Sequence, residues 1–208
     1  MLQGNRLAGA ILAGGRAVRF GGIAKGMIRL PDGRTIVERL VGELAAAGVT
    51  EVVLSTSRPE EYAEMGLPTV ADRLAGVGPL AGVEASLAYH SDSADAVVFV
   101  ACDLPAIGRA EVRKLIEAFA AGAAPVAYLV GPDGREHPLC AVVACGAEAE
   151  IAARIGRGET RVSGLWRALG GVAVGADDPR AVFNVNTPGD LAEWEDDDVG
   201  ARAGHGDG

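Results

Sequence analysis

Five short apolar runs that do not alternate with polar residues constrain the fold of this chain more than any other feature. They are LAGAILA at 7–13, EVVLSTS at 51–57, DAVVFVA at 95–101, APVAYLV at 124–130 and LCAVVA at 139–144. Strands of this kind are buried on both faces, as in a mostly parallel sheet that helices cover. The runs therefore predict an α/β sandwich with a mostly parallel central sheet.

Helical patterns lie between several of these runs. In TIVERLVGELAAAG, Thr35 and Glu38 have the spacing of a capping box, an apolar residue recurs on one face, and Gly48 is predicted to end the helix. EVRKLIEAFAAG at 111–122 repeats the periodicity, and GPLAGVEASL at 78–87 reads as a Gly-Pro turn that leads into a helix. Strand followed by helix followed by strand indicates βαβ units.

The length and charge of the chain limit the number of domains and the class of ligand. A chain of 208 residues is predicted to form a single domain over 1–195, followed by an acidic, glycine-rich and disordered tail at 196–208. The net charge is −9, although residues 1–40 carry seven basic residues against two acidic ones. An acidic protein with one basic segment is a poor binder of nucleic acid and suits a small anionic ligand held at one place.

The cysteines and the apolar runs indicate the cellular compartment of the protein. Cys102, Cys140 and Cys145 lack zinc-site spacing and are predicted to be reduced thiols. No secretory signal pattern is visible, and no apolar run approaches the roughly 20 residues that span a bilayer. The protein is therefore predicted to be cytoplasmic and to have no membrane partner.

A glycine-rich, cationic segment directly follows the first strand. The stretch AILAGGRAVRFGGIAKG at 10–26 places Arg16, Arg19 and Lys25 among five glycines. It contains neither the dinucleotide fingerprint, which counts against a nicotinamide-dependent dehydrogenase, nor a P-loop. Glycines still let backbone N–H groups approach phosphate oxygens, and Arg and Lys neutralise them. The segment therefore predicts a site for a phosphate-bearing ligand.

An acidic residue follows the central strand. Asp103, in the stretch CDLP, comes directly after DAVVFVA, and ligands of α/β sheets gather at the carboxyl ends of strands. One carboxylate beside a polyphosphate suits Mg²⁺. The local pattern favours a helix cap equally, since Pro105 follows shortly afterwards.

Two further segments carry candidate ligand-binding residues. In FNVNTPGDL, Asn184 and Asn186 are two residues apart and face one side of an extended segment, and Thr187 is predicted to cap a helix that starts at Pro188. His137, in EHPL, could contact a substrate. The alternatives are two asparagines in a turn and a structural histidine.

Taken together, LAGGRAVRFGGIAKG, GPLAG, CDLP, HPL and NVNTP with DL resemble the molybdenum cofactor guanylyltransferase family over roughly residues 7–195. The resemblance implies a Rossmann-like nucleotidyltransferase fold, a three-layer α/β/α sandwich with a mostly parallel central sheet. It also implies transfer of GMP from GTP to molybdenum-bearing molybdopterin, with Mg²⁺ as cofactor and release of pyrophosphate. Transient contact with other cofactor-biosynthesis proteins is a further expectation.

The resemblance also implies roles for single residues. The nucleotide would contact Leu12, Ala13, Gly14, Gly15, Lys25, Ser55, Asp72 and Asp103. Asp103 would hold the metal and act in catalysis with Arg19 and Lys25, while Asn184, Asn186 and His137 would bind substrate. No protein nucleophile is implied, so catalysis would be positioning and charge neutralisation.

The sequence departs from the family pattern at several positions. Ala24 stands where the family usually has Asp before the lysine, Ala17-Val18 and Phe20 alter the loop, and Ser55 takes the place of a polar residue that is often Asn. Two alternatives therefore stay open. One is a related nucleotidyltransferase, transferring CMP to molybdopterin or GMP to another phosphate, and the other is a non-catalytic nucleotide-binding module.

Overall fold

A seven-stranded mixed sheet forms the centre of the described part of the chain. The computed structural model describes residues 6–14, 23–74, 76–122 and 124–194. The strands are β1 Leu7–Leu12, β2 Val52–Ser55, β3 Thr69–Val70, β4 Ala96–Ala101, β5 Val126–Val130, β6 Glu136–Ala144 and β7 Val172–Gly175. Their spatial order is β3-β2-β1-β4-β6-β5-β7, and only β6 runs antiparallel to its neighbours. The prediction of a mostly parallel sheet is confirmed.

Helices cover both faces of the sheet, which confirms the α/β/α sandwich. They are α1 Ile36–Ala46, α2 Pro79–Tyr89, α3 Arg109–Ala121, α4 Glu148–Gly156 and α5 Val162–Ala168. The apolar sides of α1 and α3 pack on one face, and those of α2, α4 and α5 pack on the other. A last helical segment covers 188–194. No helix in the described part of the chain is both long enough and apolar enough to cross a bilayer.

The local signals at the helix ends act as the sequence predicts. The Thr35 hydroxyl accepts a hydrogen bond from Glu38 N at 3.1 Å, and the Glu38 carboxylate accepts one from Thr35 N at 2.6 Å. Gly48 follows α1 with a φ of +95°, a conformation that glycine adopts at little cost. The predicted helix after the Gly-Pro turn is α2, and α3 begins slightly before the predicted residue.

Several elements of the fold were not predicted from the sequence, and two predictions concern residues outside the described part of the chain. Strands β3 and β7 and helices α4 and α5 were not predicted; the two strands are very short, and α5 has only seven residues. Cys102, Cys140 and Cys145 are free and buried, as predicted. The predicted tail at 196–208 lies outside the described residues, and so does the boundary at 195.

A buried histidine at the amino-terminal edge of the sheet makes stability depend on pH. His90 is fully buried, its Nδ1 lies 3.2 Å from Ser93 Oγ, and its Nε2 has no hydrogen-bond partner among the described residues. Burial lowers the pKa of His90, and the nearby Glu51 carboxylate opposes that shift. As the pH falls below about 6.5, the unfolded chain therefore takes up the proton before the folded chain does.

As the pH is lowered below about 6.5, we expect the free energy of unfolding to decrease. His90 should contribute at most about 1.4 kcal/mol per pH unit to this decrease. His90→Gln should reduce the slope in urea titrations at a series of pH values between 7.5 and about 5. His90→Gln and wild-type slopes that coincide would contradict this expectation. His137→Gln is the comparison variant. Burial lowers the pKa of His137 as well, so this variant should also reduce the slope.

Candidate functional site

The carboxyl ends of β1, β2 and β4 bring together residues that are far apart in the sequence. Leu12 pairs with Ser55 on one side and with Ala101 on the other. Beyond the strand, Ala13 N donates to Ser55 O at 2.9 Å and Cys102 N donates to Leu12 O at 3.2 Å. The chain then reaches Gly14, which is exposed and at which a Cβ would meet nothing within 4 Å. An open backbone therefore follows a rigidly held strand end.

Helix α2 packs closely on this edge. A Cβ at Gly82 would lie 2.4 Å from Ser55 Oγ, 3.4 Å from Leu12 Cδ2 and 3.5 Å from Asp72 Oδ1. Three of the predicted nucleotide-binding residues thus converge on one turn of α2. Asp72 lies at the surface, and the protein around its carboxyl group raises its pKa through desolvation.

The start of α2 offers backbone N–H groups at the same edge. Gly78 is the N-cap with a φ of +66°, Pro79 follows, and no side chain caps the helix. An uncapped helix N-terminus attracts negative charge. Its place next to Ser55 and Asp72 makes it part of the candidate site.

Lys25 belongs to a short 3-10 turn, Lys25–Met27, whose packing depends on the glycine that follows the lysine. A Cβ at Gly26 would lie 2.7 Å from Val37 Cγ2 and 2.9 Å from Tyr62 Cε1, so the buried backbone leaves no room for a side chain. Lys25 Nζ donates to Asn186 Oδ1 at 3.0 Å, although 161 residues separate them. The lysine is therefore aimed at the carboxyl edge of the sheet.

Asp103 and the segment around Asn184 face each other. Val185 N donates to Asp103 O at 2.8 Å, and Asp103 and Asn184 line one cavity. The Asp103 carboxylate takes part in no ion pair between described residues. The alternative that Asp103 caps a helix is wrong, because α3 begins at Arg109 with Gly108 as its N-cap.

A helix cap formed by Thr187, which was predicted, and Asp190, which was not, holds Asn186 in place. Thr187 caps the segment 188–194, since its hydroxyl accepts from Asp190 N at 3.2 Å, as predicted. The Asp190 carboxylate in turn accepts from Asn186 N at 2.7 Å and Thr187 N at 2.8 Å, and these bonds lower its pKa. The two asparagines therefore have distinct positions, with Asn186 on Lys25 and Asn184 at the cavity.

Two adjoining cavities open on the β6 side of the site, and Asp103 lines the first of them. The first, of about 200 Å³, is lined by Ala101, Asp103, Leu104, Arg135, Glu136, His137, Pro138, Leu139, Cys140, Val162 and Asn184. The second, of about 390 Å³, shares Arg135, His137 and Asn184 with it. The candidate site thus extends from the cationic turn at Lys25 to the start of β6.

An irregularity in the pairing of β5 with β6 shapes the first cavity. Tyr128 pairs with Ala141, but the next residue, Leu129, pairs with His137, so residues 138–140 have no partner on β5. Trp166 Nε1 donates to Pro138 O at 2.7 Å and holds this bulge. Bulges commonly re-aim side chains next to sites. This one brings Pro138, Leu139 and Cys140 to the cavity.

His137 lies at the junction of the two cavities and is buried. Burial and the charge of Arg135 lower its pKa, while Asp133 and Asp103 oppose the shift. The imidazole is therefore neutral near pH 7 and can serve as one donor and one acceptor.

The structure thus brings together most of the predicted site residues: Leu12, Ala13, Gly14, Lys25, Ser55, Asp72, Asp103, His137, Asn184 and Asn186. The predictions for Gly15 and Arg19 lie outside the described residues. Sequence reasoning missed Tyr62, Arg135 and Asp190. Asp190 follows Thr187 at capping-box spacing and could have been found, whereas Tyr62 and Arg135 carry no local signal.

Comparisons with known proteins bear on the same region. The sequence profile described as the MobA-like NTP transferase domain matches residues 9–172. The molybdenum cofactor guanylyltransferase of Yersinia pestis (strain Pestoides F) is 32% identical over 192 residues, which cover 91% of this chain and 95% of that protein. The enzyme of the same name from Shewanella sp. (strain MR-4) is 35% identical over 183 residues, covering 86% and 89%.

Among solved structures, molybdopterin-guanine dinucleotide biosynthesis protein A from Archaeoglobus fulgidus is similar in fold. Its TM-score is 0.74 at 20% identity, and the match covers 93% of this chain and 99% of that one.

Proposed function

The chain belongs to the MobA-like NTP transferase family, and from that premise we propose that it is a molybdenum cofactor guanylyltransferase. It transfers GMP from GTP to molybdenum-bearing molybdopterin and releases pyrophosphate. Its two substrates are thus a nucleoside triphosphate and a pterin that carries a terminal phosphate. Its three free thiols fit a reducing compartment, the cytoplasm.

The carboxyl edge of β1 and the start of α2 would bind GTP. The backbone of Leu12, Ala13 and Gly14 would contact the nucleotide, with Ser55 and Asp72 beside it. The uncapped N-terminus of α2 and the Lys25 ammonium provide positive potential for the phosphates. Gly15 and Arg19 lie between Gly14 and Lys25 in the sequence, and we propose that they too act on the nucleotide.

The residues present fit a bound Mg²⁺. Among the described residues no cluster of three or more acidic, histidine or cysteine side chains could form an all-protein metal cage. Mg²⁺ instead favours one or two carboxylates together with substrate phosphates, and Asp103 presents one carboxylate at the first cavity. Bound there, Mg²⁺ would neutralise phosphate charge as the bond to pyrophosphate breaks.

In the proposed reaction the terminal phosphate oxygen of molybdopterin attacks the α-phosphorus of GTP in line, and pyrophosphate leaves with the bonding electrons. Lys25, with Arg19, neutralises the departing pyrophosphate. Asn186 accepts a hydrogen bond from Lys25 and keeps its ammonium at the reaction centre without adding a second charge. The chain's residues thus orient and neutralise the reactants rather than form a bond to them.

The cysteines near the site do not offer a covalent route. Cys102 and Cys140 are buried, and burial raises the pKa of each thiol to about 12. Both are therefore protonated near pH 7, and a protonated thiol is a poor nucleophile. Direct transfer between the two substrates is accordingly the mechanism that the site supports.

The cavities on the β6 side of Asp103 would receive the acceptor. They are lined by Arg135, by the neutral His137 and by Asn184, which are donors suited to a phosphate and to pterin oxygens and nitrogens. GTP and acceptor would thus meet at Asp103 from opposite sides. The observation that carries the proposal is the Lys25–Asn186 hydrogen bond of 3.0 Å next to Asp103.

Nucleotide binding tests the proposal first. Calorimetry with GTP, CTP and ATP, each with and without Mg²⁺, is expected to show binding of GTP that strengthens with Mg²⁺. Release of pyrophosphate on addition of molybdenum-loaded molybdopterin should follow. A preference for CTP would point to cytidylyl transfer instead, and binding of no nucleotide would refute catalysis.

Tyr62 links the two ends of the cationic segment. Its hydroxyl donates to Ala13 O at 3.5 Å, and a Cβ at Gly26 would lie only 2.9 Å from its ring. We expect Tyr62→Phe to raise the KM for GTP about three- to tenfold and to lower the free energy of unfolding by about 1 kcal/mol. Steady-state kinetics and urea titration measure the two effects. Tyr128→Phe, which removes a hydroxyl that donates to Glu136, should change stability alone.

A further inference from the structure

The segment that carries Asp72 connects β3 to α2, and its backbone is weakly held. We call residues 71–74 and 76–78 the Asp72 loop. Within the described residues, the backbone of 71–74 and 76–77 makes no hydrogen bond to other backbone groups outside the sheet and helices. Gly76 and Gly78 have φ values of +77° and +66°. Such backbone restricts the loop little, so its side chains must supply the restraint.

Arg73 supplies that restraint through two carboxylates. Its guanidinium holds both oxygens of Glu84, with Nε 3.2 Å from Oε2, and it also donates to Glu148 Oε1 at 2.9 Å. Glu84 lies on α2 with its side chain 3% exposed, and Glu148 is the first residue of α4. A buried carboxylate held by a planar guanidinium is a directional contact. One side chain therefore fastens the Asp72 loop to two helices.

The contact lies next to the candidate nucleotide site. Asp72 precedes Arg73 in the chain, and its Oδ1 would lie 3.5 Å from a Cβ at Gly82, which stands two residues before Glu84 on α2. We propose that Arg73 and Glu84 are positioning residues that hold Asp72 and the start of α2 in the geometry that binds the nucleotide. The inference rests on the proposed function, because the nucleotide is the one named there.

This role predicts a change in nucleotide affinity rather than in the chemical step. Arg73→Lys keeps the positive charge but loses the planar guanidinium that holds both oxygens of Glu84. The Asp72 loop would then be less ordered before GTP binds, and binding would have to supply the cost of ordering it. We expect Kd and KM for GTP to rise about five- to thirtyfold, with kcat within about threefold of wild type.

Glu84→Gln separates the positioning role from the electrostatic field. Removing a negative charge near the site would strengthen the binding of an anionic nucleotide if only the field mattered. Loss of the restraint on Arg73 instead predicts weaker binding, which has the opposite sign. Glu84→Gln with a Kd equal to or below that of wild type would overturn the inference.

Arg154→Met provides a control at a second arginine, and it removes the charge as well as the two contacts. Arg154 is likewise held by two glutamates, with Nε 2.7 Å from Glu150 Oε1 and Nη1 3.0 Å from Glu159 Oε2, but it lies on α4 away from Asp72. It should leave Kd and KM for GTP unchanged. An equal loss in Arg154→Met and Arg73→Lys would show a general loss of stability and overturn the inference.

Amide hydrogen exchange over 71–78 gives a readout that does not depend on GTP. Exchange should be faster in Arg73→Lys than in wild type and in Arg154→Met. Unchanged exchange, or faster exchange with unchanged Kd, would overturn the positioning role while the proposed function stands. If wild type itself bound no GTP, the proposed function would fail and this inference with it.

Discussion

Asp103→Ala is expected to lower the rate of GMP transfer by at least about a thousandfold while the protein stays folded. Asp103 is the carboxylate at the carboxyl end of β4, half-buried and next to the segment that carries Asn184. Its removal takes away the group that would hold Mg²⁺ against the substrate phosphates. Pyrophosphate release under saturating GTP and Mg²⁺ measures the effect, and circular dichroism checks the fold.

Two companion variants make the Asp103 result specific. Asp103→Asn keeps the shape and loses the charge, so it should be almost as inactive as the alanine variant. Asp95 precedes the same strand at the opposite edge of the sheet and bonds to Arg6 N at 2.7 Å. Asp95→Ala should stay within a few-fold of wild-type activity. An active Asp103→Asn would refute metal binding by this carboxylate.

Lys25→Met is expected to lower kcat/KM for GTP by about 10²- to 10³-fold, because the ammonium that neutralises the phosphates is lost. Methionine retains most of the side chain's length and apolar stem, so the turn around the buried Gly26 should keep its packing. Steady-state kinetics with varied GTP gives kcat/KM. Calorimetry separates the part of the loss that arises in binding.

The chain offers a close control for this variant, since it contains only one other lysine. Lys114 lies on α3 and forms an ion pair with Asp177, on the surface. Lys114→Met removes the same charge from the whole protein and should change kcat/KM less than twofold. Comparable losses in the two lysine variants would mean that net charge, not the position of Lys25, determines GTP binding.

The position before Lys25 shows how the chain manages without the usual aspartate. Ala24 is 4% exposed and packs in the core with Ala13 and Tyr62. Lys25 instead meets the neutral amide of Asn186, which Asp190 fixes through its backbone. An amide holds the ammonium without cancelling its charge. Ala24 therefore does not count as a sign of a lost site.

Local features of the fold were predictable because their causes lie within a few residues of the chain. The apolar runs became strands, Thr35 and Glu38 formed the predicted capping box, and Thr187 capped a helical segment. Asp103 follows a buried strand directly, so its place at the carboxyl edge also followed from the sequence. The separated motifs identified the family as well, since their order survives in the linear chain.

The tertiary structure alone decided which strands pair, and with what direction. The run that became β6 looks like its parallel neighbours, because burial on both faces gives the same pattern in either direction. Likewise nothing near Lys25 indicates Asn186, and nothing near Arg73 indicates Glu148. Such contacts depend on the packing of whole helices and strands against one another. The sequence by itself therefore determined the elements and the chemical groups, and the tertiary structure decided which groups meet.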